Sequence, residues 1–247
     1  MAHSPLEQFV VKPIIDINVA GYDLSFTQSA LWMLIGVLAA TSLMTLAVRG
    51  KAVVPGRWQN VAEMLYEFVA GMVNDNLHDD ARKFFPFVFS LFMIVLMGNL
   101  LGLLPYSFTY TSHIIVTGAL ALFVFFLSTL VGFLRHGLHF FSIFLPPGLP
   151  WPMWFLIVPI EIISYLSRPL SLSVRLFANM TAGHTMLKVF AGFSVSLIGV
   201  TFGAVLGFLP ALVNVALLGL ELMIAFIQAY VFAILTCIYI KSSIELH

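Results

Sequence analysis

The chain has 247 residues, of which 61% are hydrophobic and only 9% charged, with zero formal net charge and a mean hydropathy of +1.04. A water-soluble domain carries roughly a quarter charged residues, so this composition excludes one and places the chain in lipid. The charge balance points to no nucleic acid, and the single cysteine, Cys237, excludes an internal disulfide and any cysteine-based zinc site. Cys237 lies in an apolar run and reads as packing.

Residues 1–28 hold Glu7, Lys12, Asp16 and Asp23, with no basic run ahead of an apolar stretch. The expectation is therefore no cleaved leader, a mature chain starting at Met1, and a tail outside the membrane over 1–28. The first predicted span is 29–48, matching the roughly 20 residues that a hydrocarbon core of about 30 Å requires. Arg49, Lys51 and Arg57 follow at once, which puts the N-terminus outside and residues 49–85 in the cytoplasm.

Residues 57–77 carry a different pattern. Trp58, Val61, Leu65, Phe68 and Met72 recur at three and four, and Met64, Val69 and Val73 widen the stripe. Gln59, Asn60, Glu63, Glu67, Asn74 and Asp75 occupy the other face. This predicts an amphipathic helix on the cytoplasmic side, lying in the interface or packed on a neighbour. Residues 87–104 return outward and stop at Pro105, and residues 114–134 come back in and end at Arg135. A proline- and glycine-rich loop is expected over 136–152. Its His136 and His139 have a metal-pair spacing but read as interfacial side chains, so no metal and no cofactor are expected.

From Met153 to Ile240 the chain is almost continuously apolar, interrupted by Glu161, Arg168, Arg175, His184, Lys188 and Glu221. Two long helices are predicted, over 153–190 and 195–240. The first would be roughly 57 Å long at 1.5 Å per residue, nearly twice the core thickness. It must tilt, kink at Pro159 or Pro169, or divide into two elements. The fold class is thus all-α integral membrane, a single membrane domain over 1–247 with about five spanning helices plus one amphipathic helix.

Ionisable residues at membrane depth are expensive and are functional by default. Arg168 and Lys188 lie near the ends of the apolar run, where long side chains reach the interface. Arg175 has no such escape. Asn179 lies one turn beyond Arg175 on the same side of the helix, and Glu161 lies about 21 Å back along the axis within some 40° of that face. On the last helix Asn214, Glu221 and Gln228 recur every seven residues as one polar stripe. Set antiparallel, the two helices bring Arg175 opposite Gln228 and His184 opposite Glu221, two pairings that agree to within half a turn. The result is a polar track in which His184 and Glu221 exchange protons and Asn179, Asn214 and Gln228 hold water. No carboxylate in the chain belongs to Arg175, which points to a counter-ion on another chain.

The stretch SRPLSLSVRLFANMTAGH, Ser167 to His184, resembles the signature of subunit a of F-type ATP synthases. The run ELMIAFIQAYVFAILTCIYI, Glu221 to Ile240, resembles that family's C-terminal signature, and GNLLGLLPY, Gly98 to Tyr106, fits its earlier helix. The likeness covers essentially the whole chain and is closest to alphaproteobacterial and mitochondrial members. It implies two long, strongly tilted final helices that embrace a ring of c subunits, each with a membrane carboxylate that meets Arg175. It further implies that Arg175 separates two proton half-channels, that His184, Glu221, Asn179, Asn214 and Gln228 line the inlet, and that Glu161 serves the outlet. In enterobacterial relatives the acid and histidine appear in the opposite order, an exchange that keeps the pair. The remaining implied partners are peripheral-stalk b subunits and the rest of the synthase. The implied site is a bacterial inner membrane, the alternative being a mitochondrial one, with the N-terminus outside and the C-terminus cytoplasmic. The chain has no nucleotide-binding loop, so ATP chemistry falls to a partner and the subunit is no enzyme on its own.

Two other readings fit the sequence less well. A secondary transporter predicts an inverted repeat, yet residues 1–150 hold no counterpart to Arg175. An intramembrane protease needs an HExxH motif or a serine with a matching base, and neither is present.

Overall fold

Hydrocarbon offers a backbone amide no partner, so each spanning segment must satisfy its own peptide groups as a helix. A computed structural model of the chain describes residues 10–11, 13–16, 18–19, 22–23, 25–48, 56–104, 107–144, 151–198 and 203–245. It contains six α-helices: α1 Gln28–Val48, α2 Arg57–Leu77, α3 Ala81–Gly102, α4 Ile114–His136, α5 Trp151–Ile198 and α6 Gly203–Ile244. Five helical stretches among these residues, one of which joins α2 to α3, are long and apolar enough to cross a bilayer. The protein is an all-α, multi-pass membrane protein.

Several boundaries differ from those predicted. Before α1, four short strands pair antiparallel, β1 (Pro13–Ile15) with β4 (Phe26–Thr27) and β2 (Asn18–Val19) with β3 (Tyr22–Asp23). The chain between 78 and 86, expected as connection, is a short 3-10 turn followed by the start of α3. Pro86 therefore lies inside that helix, at its sixth position, where it removes the N–H that would otherwise donate to the Arg82 carbonyl. His78, with φ 43°, ends α2, and its N–H donates to the Asn74 carbonyl. α3 stops at Gly102, before the expected 104, and the predicted stop at Pro105 lies outside the described residues. Part of the predicted loop at 136–152 is ordered as a 3-10 helix over Gly137–Phe144, while 145–150 lie outside the described residues. So do Arg49 and Lys51.

α5 is one helix of 48 residues and α6 one of 42, with Pro159, Pro169 and Pro210 inside them. The alternative of two elements is thereby excluded for 153–190. At 1.5 Å per residue they measure about 72 and 63 Å; α5 is longer than the predicted 153–190, while α6 is slightly shorter than the predicted 195–240.

The chain forms two compact units. The first combines residues 1–49 with 93–113 and 176–229, so it takes all of α1, the end of α3, the second part of α5 and the first part of α6. Its apolar core includes Val95, Leu96, Leu176, Met180, Ala225 and Ala229. The loop after α3 is wedged into this unit by Tyr110, whose hydroxyl donates to the Ile94 carbonyl at 3.0 Å and whose ring lies against Gly36 and Gly98. A β-carbon at Gly98 would collide with that ring, so the loop seats only because position 98 has none.

The second unit combines residues 50–92 with 114–175 and 230–247. Val73, Val88, Phe92, Val124, Phe140, Leu172 and Phe232 form its core, together with Cys237 in the packing position expected of it. On α2 the buried side chains are Ala62, Val69, Met72, Val73 and Leu77, whereas Trp58, Val61, Met64 and Phe68 of the predicted stripe remain exposed. The apolar face of α2 is thus wider than this unit covers. Arg135 pairs with Asp80, and His136 Nε2 lies 2.8 Å from the Ile244 carbonyl at the end of α6.

Candidate functional site

The first unit brings four of the predicted polar residues into two pairs. His184 Nδ1 on α5 lies 3.3 Å from Glu221 Oε1 on α6, and both side chains are buried. The approach has the distance of an ion pair without the alignment of a hydrogen bond, so both carboxylate oxygens of Glu221 lack a hydrogen-bond partner among the described residues. Five residues earlier on α5, Asn179 Nδ2 donates to Gln228 Oε1 at 2.9 Å. Gln228 therefore has Asn179 as its hydrogen-bonded partner, where the antiparallel register had set it against Arg175. His184 and Glu221 are opposed as the antiparallel register predicts.

The stripe continues along α6. Asn214 is half-buried, two turns before Glu221, and its Oδ1 has no hydrogen-bond partner among the described residues. Gln228 Nε2 is in the same condition. A buried polar atom left unmatched costs roughly 1–3 kcal/mol. Such a concentration between two apolar helices is far from what packing alone selects.

Sequence reasoning missed several members of this site. Asn99, fully buried on α3, donates through Nδ2 to the Ala225 carbonyl of α6 at 3.2 Å and so braces the helix one turn after Glu221. Thr109 Oγ1 lies 3.0 Å from His184 Nε2, on the ring edge away from Glu221. Thr181 Oγ1 donates to the Ser112 carbonyl at 3.3 Å, a second tie between this loop and α5. Gly183 lies directly against the Glu221 carboxylate. The glycines of GNLLG and TAGH were the available signal, because a helical glycine between apolar neighbours marks a close approach.

Arg175 belongs to the second unit. It is exposed on the surface of the isolated chain, not buried, and makes no hydrogen bond or ion pair among the described residues. Glu161, half-buried in the same unit, also makes none among them. Arg168 is held firmly. Its guanidinium lies 5.1 Å from the ring centre of Tyr165 and 5.6 Å from that of Tyr239, and Nη1 donates to Ser242 Oγ at 2.9 Å. These contacts clamp α5 to the end of α6. Among the described residues no group of three metal-binding side chains comes together.

Long apolar helices with ionisable and amide side chains aligned between them define a multi-pass membrane protein with a polar interior strip. Residues 30–241 match the family described as ATP synthase A chain. The chain is 54% identical to "ATP synthase subunit a" of Rhodospirillum rubrum, over 99% of this chain and all of that protein. The protein of the same name from Paramagnetospirillum magneticum is 51% identical over 99% of both chains. That from Mesorhizobium japonicum is 54% identical over 98% of this chain and 96% of its own. The chain belongs to the ATP synthase A chain family.

Proposed function

We propose that this chain is the stator subunit a of the membrane sector of a rotary ATP synthase, which couples transmembrane proton flow to rotation of a ring of c subunits. Protons enter from the outside along Asn214, Glu221, His184, Asn179 and Gln228, load a carboxylate on the ring, and leave after rotation past Glu161 toward the cytoplasm. Arg175 separates the two half-channels. Peripheral-stalk b subunits hold the chain against the rotor, and the membrane is a bacterial inner membrane with the N-terminus outside.

The observation that carries this reading is the buried His184–Glu221 pair in line with Asn179–Gln228, in a chain of this family. A histidine facing an acid passes one proton between them at little cost in net charge, and the unmatched amide atoms nearby are placed to hold water. The exposed and unpaired state of Arg175 supports its role at the rotor. A lone cation at membrane depth is tolerated where a partner carboxylate can meet it. A fixed positive charge there also repels protons from crossing directly between the half-channels, while it draws the proton off each arriving acid.

The test is Arg175→Ala in the assembled complex, with ATP-driven proton pumping measured in inverted vesicles. The expected result is loss of pumping while the soluble head still hydrolyses ATP. Pumping at the parental rate would remove Arg175 from the mechanism.

A further inference from the structure

We propose that Thr109 is a positioning residue that holds the proton of His184 on Nε2 and so leaves Nδ1, the edge facing Glu221, as the side through which this histidine exchanges protons. The argument begins at the end of α3. Helix ends leave carbonyls without partners, and the buried Gly102 carbonyl is one of them. Two hydroxyls reach it, Ser107 Oγ at 2.9 Å and Thr109 Oγ1 at 3.3 Å. The single proton of Ser107 has a shorter path to the Leu104 carbonyl, at 2.7 Å. Between the two neighbours of Thr109 Oγ1, the Gly102 carbonyl can only accept whereas His184 Nε2 can either donate or accept, so the hydroxyl proton goes to Gly102 and the ring adapts to it.

A hydroxyl that has committed its one proton can only accept from its other neighbour. Thr109 Oγ1 lies 3.0 Å from His184 Nε2, so Nε2 must carry a proton to make that contact. Nδ1 then faces Glu221 Oε1 across 3.3 Å. With the ring neutral, a protonated Glu221 faces the bare Nδ1. With the proton moved to Nδ1, an imidazolium faces a carboxylate. The Nε2–H to Thr109 contact is the same in both states, so the proton crosses without any other hydrogen bond being rebuilt. On the far side the chain ends at a backbone carbonyl, which accepts but does not pass a proton on. Thr109 closes that edge of the ring.

The loop that carries Thr109 is held well enough to impose this choice. Ser112 Oγ donates to the Thr109 carbonyl at 2.6 Å, Thr181 ties the Ser112 carbonyl to α5, and Tyr110 fills the space between Gly36 and Gly98. Gly102 has no side chain to push Thr109 away, since a β-carbon there would stand 2.6 Å from Thr109 Oγ1.

The inference rests on the proton-relay reading for its effect on pumping, but its statement about the tautomer stands apart from that reading. The complex, labelled with ring-15N histidine and reconstituted in lipid vesicles, is examined by solid-state NMR at a pH where the neutral ring is observed. His184 is identified by difference from His184→Gln. The expected wild-type spectrum shows a proton on Nε2 and a bare Nδ1. In Thr109→Val the other tautomer gains population and pumping falls about tenfold, and Thr109→Ser restores both. A wild-type ring protonated on Nδ1 overturns the inference, even if the valine variant never assembles, and so does a valine variant with an unchanged tautomer. A changed tautomer with wild-type pumping instead overturns the relay reading beneath it.

Discussion

The carboxylate of Glu221 lies against the backbone of Gly183, the residue immediately before the histidine it faces. A β-carbon at 183 would stand 2.6 Å from Oε1 and 3.0 Å from Cδ. The acid is only 2% exposed, so it has little room to yield. Helix α5 therefore has to be bare at one position to let the two titrating groups of the strip approach to 3.3 Å.

Gly183→Ala tests this directly. A single methyl group at a packed contact costs about 1–3 kcal/mol if nothing relaxes, and here the cheapest relaxation is rotation of the Glu221 side chain away from His184. The expected variant assembles and keeps ATP hydrolysis by the soluble head, yet pumps protons roughly tenfold more slowly. Parental pumping rates in vesicles would show that the close approach is dispensable.

Tyr110 offers a second test, this time of stability. Its hydroxyl donates to Ile94, and Tyr110→Phe removes that bond at an expected cost of about 1 kcal/mol. Burial pushes the phenol up to about 12 from its ordinary 10. The folded chain thus binds this proton more tightly than the unfolded chain does. The resulting stabilisation is complete below pH 10 and disappears as the pH rises through about 12. Thermal unfolding of the detergent-solubilised subunit is expected to show a wild-type advantage over Tyr110→Phe that is flat from neutral pH to roughly 9 and then shrinks. An advantage that grows in alkali would contradict the burial of this ring.

Arg168 distinguishes charge from shape. Its guanidinium contacts two aromatic rings and Ser242, and a lysine retains the charge but not the flat surface or the fork of donors. Each cation–π contact contributes about 0.5–1 kcal/mol at sites of modest exposure. Arg168→Lys and Arg168→Gln are therefore expected to lower stability by similar amounts, about 1 kcal/mol or more, in the same unfolding assay. A lysine variant as stable as wild type would reduce the clamp to a simple charge effect.

Much of the fold was legible because hydrophobic run length is a property of composition along the chain. The 57–77 helix has the bounds that its periodicity predicts. The pairing of His184 with Glu221 was legible too, since a seven-residue repeat of polar side chains on α6 admits few registers against α5. What the pattern could not reach was the loop at 107–113. Thr109 and Tyr110 act through contacts with residues far along the chain, and neither residue type stands out in its neighbourhood. The hydrogen bond from Asn179 to Gln228 was out of reach for a similar reason. Index arithmetic treats both helices as ideal rods and cannot see Asn99 bracing α6 at the Ala225 carbonyl. The exposure of Arg175 was likewise hidden, because an apolar sequence around a charge does not say which surface meets lipid and which meets a partner.

The length and mixed polarity of α5 bear on how the protein is made. Its best window has a mean hydropathy of 1.4, against 2.1 to 2.6 for the other spanning stretches. Each charged side chain at the centre of a helix opposes lateral partitioning from the translocon by about 2.5–3.5 kcal/mol. α5 is thus the segment least able to settle in the bilayer by itself, and His184, Asn179 and Arg168 all find partners on α6. Biogenesis then depends on the two helices entering the lipid together. A nascent chain ending at residue 198 should leave α5 accessible to water-soluble probes, and extending it through α6 should bury both at once.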